Sequence, residues 1–411
     1  MRRVVVLGAG TGGTIVANRL RRRFDPDDVE IHVVDRDNAH LFQPGLLFVP
    51  FGLTEVGGLV RPRRDQLRRG VTFHEHDIVE VRPHRNEVLL EGGTVLEYDV
   101  LVVATGARLQ PEETEGLDEA MGQDRVFTFY TPEGAAELHT ALERFDRGRL
   151  VVNLVDMPIK CPVAPLEFAF LADWYFRERG LRSKVELVYV TPLDTAFTKP
   201  VASQRLAGLL GEKGIELVTE FNAGAVDGAA GTLTSYDGRA LPFDLLVTVP
   251  LHGGAAYVER SAGLGDALGF IPTDQRTLQA GVAPNVFVLG DATDLPISKA
   301  GSVAHFESGT VVENVTRFLL GDPLERGYDG HANCFIETGD RKALLIDFDY
   351  ATEPLPGWFP TVVGPFPLLR NSRLNHVGKL LFPWVYWNML LPGRRLPGLD
   401  GAAHPIREDV R

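Results

Sequence analysis

The chain has 411 residues, 44% hydrophobic and 24% charged, enough for two or three globular domains with ample core. A formal charge of −13 argues against nucleic acid as a partner, because phosphate binding needs a basic patch. No apolar run reaches the ~18 residues of a spanning helix, and two cysteines cannot form a disulfide framework.

The strand-like Val4-Val5-Val6-Leu7 begins almost at the first methionine, which leaves no room for a signal peptide and predicts a chain that starts in the cytoplasm. It leads into Gly8-Ala9-Gly10-Thr11-Gly12-Gly13 and a helical Thr14–Leu20; a second strand, Glu30–Val34, ends in Asp35-Arg36. Strand, G-x-G-x-x-G turn, helix and acid in this order predict a dinucleotide site. The glycines let backbone approach a pyrophosphate, the helix N-terminus favours its charge, and the acid takes ribose hydroxyls. Arg61-Pro62-Arg63-Arg64 reads as a solvated basic turn. His74 and His76 share a strand face, but with no third ligand they read as a surface strand rather than a metal pair. Ile78 opens the next strand.

Tyr98–Val103 is a buried strand closing on Ala104-Thr105-Gly106, and Pro284–Leu289 is another, ending in Gly290-Asp291. With the first turn, these segments resemble the signatures of FAD-containing two-dinucleotide-domain flavoproteins. The resemblance implies FAD in the first site, with the Asp291 position near its ribityl and pyrophosphate. The apolar loop His40–Phe48, containing Gln43 and Pro44, suits the lining of a flavin ring or a core-facing loop.

A second unit begins near residue 109. Its strand Arg149–Val155 is followed by Pro158-Ile159-Lys160-Cys161-Pro162-Val163-Ala164-Pro165 and then a helix. A nucleotide-binding turn here should carry glycines; this one carries a cysteine held between prolines. The next strand, Lys184–Val190, has no acid or arginine at its tip, and Asp194 comes three residues late. Both halves of a nicotinamide-dinucleotide signature are missing, which argues against NAD(P)H as electron donor. The expected architecture is α/β, with two Rossmann-like domains. Residues 1–108 and 251–326 form an FAD-binding domain, 109–250 a second domain without an NAD signature, and 327–411 a membrane-interacting C-terminal region.

Past Asp291, a helix starting at Ala300-Gly301 would aim its N-terminus at the flavin and favour an anionic reduced ring. Lys299 either adds to that charge or is a plain surface lysine; Glu307 either relays protons or is solvated. The tail holds the second cysteine, Cys334. Farther on, Lys379–Leu391, flanked by Lys379 and Arg394-Arg395, is too short to span a bilayer. Its tryptophans, tyrosine and basic ends suit a membrane interface, the alternative being a helix docked on a core or dimer face.

Taken together, the chain resembles the sulfide:quinone oxidoreductase family, with the related flavoprotein subunit of flavocytochrome c sulfide dehydrogenase. The matching pieces are the first glycine turn, His40-Leu41-Phe42-Gln43-Pro44, Ala104-Thr105-Gly106, Lys160-Cys161-Pro162-Val163-Ala164-Pro165, Gly290-Asp291-Ala292-Thr293-Asp294 with Lys299–His305, and Asn333-Cys334. The resemblance implies that Cys161 and Cys334 are a redox pair flanking the flavin. Sulfide would attack it, with Lys160 lowering the neighbouring thiol's pKa. Gly8, Gly10, Gly12, Gly13, Asp35, Arg36, Gln43, Pro44, Ile78, Ala104, Thr105, Gly106, Gly290, Asp291, Lys299, Ala300 and Gly301 would hold FAD. Glu307 would serve proton transfer, and Phe348, Phe366 and Tyr386 would line a pocket for membrane quinone. A third cysteine that many quinone-linked members carry is absent. The early loop has Phe42 where flavocytochrome-type members have a tethering cysteine, so FAD should be non-covalent and the acceptor a quinone. The expected protein is peripheral on the cytoplasmic membrane face, with no metal and with homo-oligomerisation open. Competing readings are a type II NADH:quinone oxidoreductase, a flavocytochrome c-type sulfide dehydrogenase flavoprotein, and a non-enzymatic flavin-bound sensor.

Overall fold

Unbroken Val/Leu runs bounded by turns become strands buried on both faces, because parallel sheets need helices on either side. In a computed structural model describing residues 1–360 and 364–394, the first such set is β1 (Arg2–Leu7), β2 (Val29–Asp35), β3 (Val71–Glu75) and β4 (Val100–Val103), with α1 (Thr11–Arg23) after β1. A second set follows: β5 (Val126–Phe127), β6 (Gly148–Leu154), α2 (Ala164–Glu178), β7 (Val185–Val190), β8 (Glu216–Val218) and β9 (Leu245–Val249). The connections between the units pair with each other, Arg108–Gln110 running antiparallel to Leu251–Gly253. β10 (Val286–Val288) then returns to the first sheet beside β4.

The sheet orders are β10-β4-β1-β2-β3 and β5-β9-β6-β7-β8, parallel throughout. In each, strand order reverses at the first long strand, which opens a crevice at the carboxyl ends of β1 and of β6. These are the two Rossmann-like units that the sequence predicts. α3 (Gly301–Leu320) leads from the first crevice and packs on α1.

The tail is a hairpin, β11 (Ala332–Gly339) and β12 (Lys342–Phe348), followed by α4 (Arg373–Val385) and a π turn, Tyr386–Leu390. The hairpin lies along α2, and α4 packs on β12. α4 is amphipathic the wrong way round for a protein in water. Leu374, Val377, Leu380, Leu381 and Trp384 are exposed, whereas Asn375, His376 and Lys379 hydrogen-bond inward. Their spacing of three and four puts the apolar residues on one stripe. Among the described residues no helix is long and apolar enough to cross a membrane. Arg395 and the remaining residues to 411 lie outside the described residues.

One expectation about the tail needs correcting. Trp384 is 61% exposed, but Tyr386 and Trp387, expected with it at an interface, are buried against the first unit. Tyr386 Oη is 2.8 Å from Thr11 Oγ1 and 2.7 Å from His40 Nε2, and Arg61 lies 4.3 Å over the Trp387 ring. The Tyr386 hydroxyl finds partners there that a lipid interface would have to replace.

Candidate functional site

The first crevice is shaped by close backbone approach. Gly8 has φ +93°, and a Cβ built there would meet Ala104 O at 2.4 Å; one on Gly13 would meet Gly8 O at 1.8 Å. A Cβ on Gly10, Gly106 or Gly301 would meet nothing within 4 Å, so these glycines border open space. Both α1 and α3 start without a side-chain cap and without an acid in the first turn, leaving N–H groups and positive dipole ends available to an anion. They adjoin: a Cβ on Gly12 would touch Leu289 at 3.1 Å and Ala304 at 3.7 Å. Asp35 accepts from Ala9 N at 2.7 Å and lies 3.3 Å from Arg63, which also donates to Ala9 O at 3.0 Å. Arg63, 12% exposed, is therefore a brace of the glycine turn and not part of a solvated basic turn. Arg36 is exposed beside Asp37. Gln43 and Pro44 open a short 3₁₀ helix, and Ile78 starts a strand just after His76, whose N–H donates to Asp35 O at 2.9 Å. These residues fit a dinucleotide.

On the far wall, Lys299 is buried, donating to Asp291 O at 3.1 Å and Thr293 O at 2.6 Å with its ammonium 4.1 Å over Phe270. It is not a surface lysine, and burial pulls its pKa down against the pull of Asp291. Glu307 is likewise fully buried rather than solvated. Its Oε2 accepts from Gly290 N at 2.5 Å, its Oε1 has no protein partner, and burial pushes its pKa up to about 8. Burial also raises the Asp291 carboxyl, with Lys299 and Lys160 opposing.

Cys161 stands at φ +47°, a left-handed conformation that a non-glycine residue keeps only when its surroundings enforce it. Its N–H donates to Lys299 O at 2.6 Å, and its carbonyl accepts from Ala164 N at 2.8 Å and Tyr130 Oη at 3.3 Å. Asn333, next to Cys334 on β11, accepts from the Ser302 hydroxyl through its carbonyl at 2.7 Å. The segment Lys299–Ser302, at the mouth of the first crevice, thus anchors both cysteine-bearing segments. Both thiols are free and partly buried, and they act on one another electrostatically. Burial pushes Cys334 up to about 12 and Cys161 well above the ordinary thiol range.

The sequence suggested Lys160 as the cation that lowers the neighbouring thiol. The structure corrects this: Lys160 is half-buried with Asp291 and Arg36 as its electrostatic neighbours, and the cation acting on both cysteines is Lys379. Lys379 donates to the Glu167 carboxylate and to Phe335 O at 3.1 Å. Glu167, in the first turn of α2, also accepts from Glu337 N at 2.6 Å, and the Glu337 carboxylate in turn receives His376 Nδ1 at 3.0 Å.

Residues 2–152 match the pyridine nucleotide-disulphide oxidoreductase family. Over 397 residues, 95% of this chain and 86% of the relative, the protein is 28% identical to mitochondrial sulfide:quinone oxidoreductase of Mus musculus. It is also 28% identical to the Dictyostelium discoideum protein of the same name over 410 residues, 98% and 89% of the two chains. Over nearly its whole length, the chain is thus similar to proteins named sulfide:quinone oxidoreductase. The crystal structure of the Aquifex aeolicus sulfide:quinone oxidoreductase shares its fold, with a TM-score of 0.79 at 21% identity, covering 96% of this chain and 92% of that one.

The three aromatics expected to line one pocket have different neighbours. Phe348 faces Lys199 at 5.2 Å, Phe366 packs edge-on to Phe335 at 5.6 Å, and Tyr386 sits 4.8 Å from Phe42. Phe335 adjoins Cys334 in sequence, and a Cβ on Gly378 of α4 would touch both Phe335 and Phe366. Asp194, beyond the end of β7, is exposed. The tail instead reaches over the following helix, with Lys199 Nζ 3.4 Å from Asp349 O and 3.7 Å from Glu353. His74 pairs with His32 at 2.9 Å instead of with His76, and the described residues contain no group of three or more potential metal ligands. Sequence reasoning missed Arg63, Glu167, Lys379, Glu337 and His376. Of these only Glu167, six residues after Cys161 in the first turn of α2, carried a local signal.

Proposed function

We propose that this protein oxidises sulfide at a redox pair formed by Cys161 and Cys334 and passes the electrons, through non-covalent FAD, to a membrane quinone. The observation that carries the reading is the anchoring of the two cysteine-bearing segments, far apart in sequence, on the one segment Lys299–Ser302 at the mouth of the dinucleotide crevice.

Hydrosulfide attacks one sulfur of the oxidised pair. The old S–S bond breaks as the new one forms, leaving a persulfide on one cysteine and a thiolate on the other. Lys379 offsets the thiolate charge in a site where burial otherwise favours the thiol. The Glu167 carboxylate, bonded to Lys379 and electrostatically coupled to both cysteines, takes the persulfide proton. When bound, FAD would supply the two-electron acceptor between the sulfur and the quinone. Gly8, Gly10, Gly12, Gly13, Asp35, Ala104, Thr105, Gly106, Gly290 and Asp291 would hold it. The α3 N-terminus and Lys299 would favour negative charge on the reduced ring, and Glu307 keeps a proton below about pH 8. The only cysteines are Cys161 and Cys334, which supports non-covalent flavin. Phe335 and Phe366, beside Cys334 and under α4, are better placed for a quinone ring than Phe348 or Tyr386. The outward apolar stripe of α4 supports peripheral attachment to a lipid surface.

Anaerobic titration tests this. Sulfide bleaches the flavin of the native protein, NADH does not, and Cys161→Ser and Cys334→Ser variants retain flavin but resist sulfide. Bleaching by NADH alone, or undiminished sulfide turnover in Cys161→Ser, overturns it.

A further inference from the structure

The tail reaches back to the helix that opens the dinucleotide crevice. Tyr386 meets Thr11, the first residue of α1; Leu391 O accepts from Asn18 Nδ2 at 2.7 Å; and a Cβ on Gly393 would lie 2.9 Å from Arg19 Cγ. The segment from Tyr386 to Gly393 thus follows α1 from its first turn to past its middle.

The hydrogens at the first of these contacts have one arrangement. His40 Nδ1 is 3.0 Å from Ala9 O, a carbonyl that can only accept, so Nδ1 carries the hydrogen. His40 is 1% exposed, and burial, with Arg63 nearby, pulls its pKa down to about 4. The ring is therefore neutral and Nε2 is a bare acceptor. Tyr386 Oη, 2.7 Å from Nε2, must give its one hydrogen there. The Thr11 hydroxyl, 2.8 Å from Tyr386 Oη, is left as a donor to it. This run from Thr11 through Tyr386 and His40 to Ala9 O begins and ends on the glycine turn, where Ala9 O also accepts from Thr14 and Arg63.

The commitment of the Thr11 hydroxyl matters because of what stands beside it. Gly10 precedes α1 without a side-chain cap, and Thr14 N donates to Gly10 O at 3.1 Å as the first bond of the helix. The N–H groups of Thr11, Gly12 and Gly13 have no acceptor within the helix and are the ones offered to an anion. A threonine hydroxyl without another partner bonds to backbone N–H groups within a few residues of its own. We propose that Tyr386 is a positioning residue for the cofactor, keeping the Thr11 hydroxyl off the N–H groups that the pyrophosphate needs. The proposal rests on the FAD reading above. Tyr386 acts through Thr11, so the dinucleotide site is complete only with the tail docked on α1.

The test measures FAD affinity by equilibrium dialysis, with a melting profile of each protein, across two backgrounds. Tyr386→Phe keeps the ring against Phe42, 4.8 Å away, and removes only the hydroxyl. In the native background it should weaken FAD binding about tenfold. In a Thr11→Val background, where no hydroxyl is released, it should change FAD binding less than about twofold. Equal losses in both backgrounds, or no loss in the native one, overturn the proposal. Nitrogen NMR of His40 in the native protein needs no substitution: Nδ1 should be protonated and Nε2 bare at pH values above its titration near 4. A ring protonated at Nε2 instead reverses the donors and also overturns it. Native protein that takes up no FAD would remove the cofactor reading itself.

Discussion

Lys379, on the inner face of α4, is ion-paired to Glu167, which lies in the first turn of the helix following Cys161. One contact thus ties the helix with the outward apolar stripe to the segment that carries Cys161. The pair is enclosed, with side chains 12% and 3% exposed, so removing one partner strands a buried charge. Lys379→Met should cost about 3–5 kcal/mol in chemical unfolding, with most of it recovered in the Lys379→Met/Glu167→Gln double variant. It should also slow alkylation of both cysteines, because the cation that lowers them is gone. A single variant as stable as the parent would contradict this account.

Two glycines of the first turn should respond differently to alanine. A Cβ at Gly13 would lie 1.8 Å from Gly8 O, whereas one at Gly10 meets no protein atom within 4 Å. Gly13→Ala should fail to fold normally. Gly10→Ala should fold with an unchanged melting profile but retain flavin at least about tenfold more weakly, because the methyl enters the space left for the cofactor. The ratio of flavin to protein absorbance after dialysis decides it; full flavin retention in Gly10→Ala would argue that the crevice is not a dinucleotide site.

Glu307 titrates near its ordinary 4.5 when unfolded and at about 8 in the fold. The folded state prefers the neutral acid, so the stability linked to this group is full below pH 4.5 and is lost as pH rises to about 8. Glu307→Gln in flavin-free protein should therefore remove part of the decline in unfolding free energy across that window. Parallel pH profiles for the two proteins would refute the neutral acid.

The apolar stripe of α4 should be needed for lipid and dispensable for folding. Leu380 is 60% exposed and makes a clean test site. Burying one leucine in hydrocarbon is worth about 1.5–3 kcal/mol, so Leu380→Glu should weaken vesicle binding roughly tenfold or more with little change in melting temperature. If the variant still binds vesicles but dissociates from an oligomer, the stripe is a face between copies of the chain.

The two Rossmann-like units are legible locally, and the fold bears them out: the glycine turn, Asp35 and the Gly290-Asp291 segment each combine a strand ending and a tight turn within a few residues. Errors came where partners are distant. Arg63 looked solvated because its partners Asp35 and Ala9 come from β2 and the glycine turn, far earlier in the chain. Lys160 was chosen for the thiol because it precedes Cys161, yet its backbone bridges to Lys299 while its charge faces Asp291. Trp387 looked interfacial because apolar pattern reports a wish for burial without naming the cover, and here the first unit supplies it.

The sequence by itself determined the architecture, since buried parallel strands, glycine turns and a glycine-free second turn are short-range consequences of side-chain size and backbone freedom. Only the tertiary structure decided the chemistry of the site. It alone brought Cys334 and Lys379 to Cys161, buried Glu167 and Glu307, and turned the apolar side of α4 outward. Those outcomes depend on which distant surfaces dock and exclude water, and burial, more than residue type, sets the charge of a thiol or carboxyl.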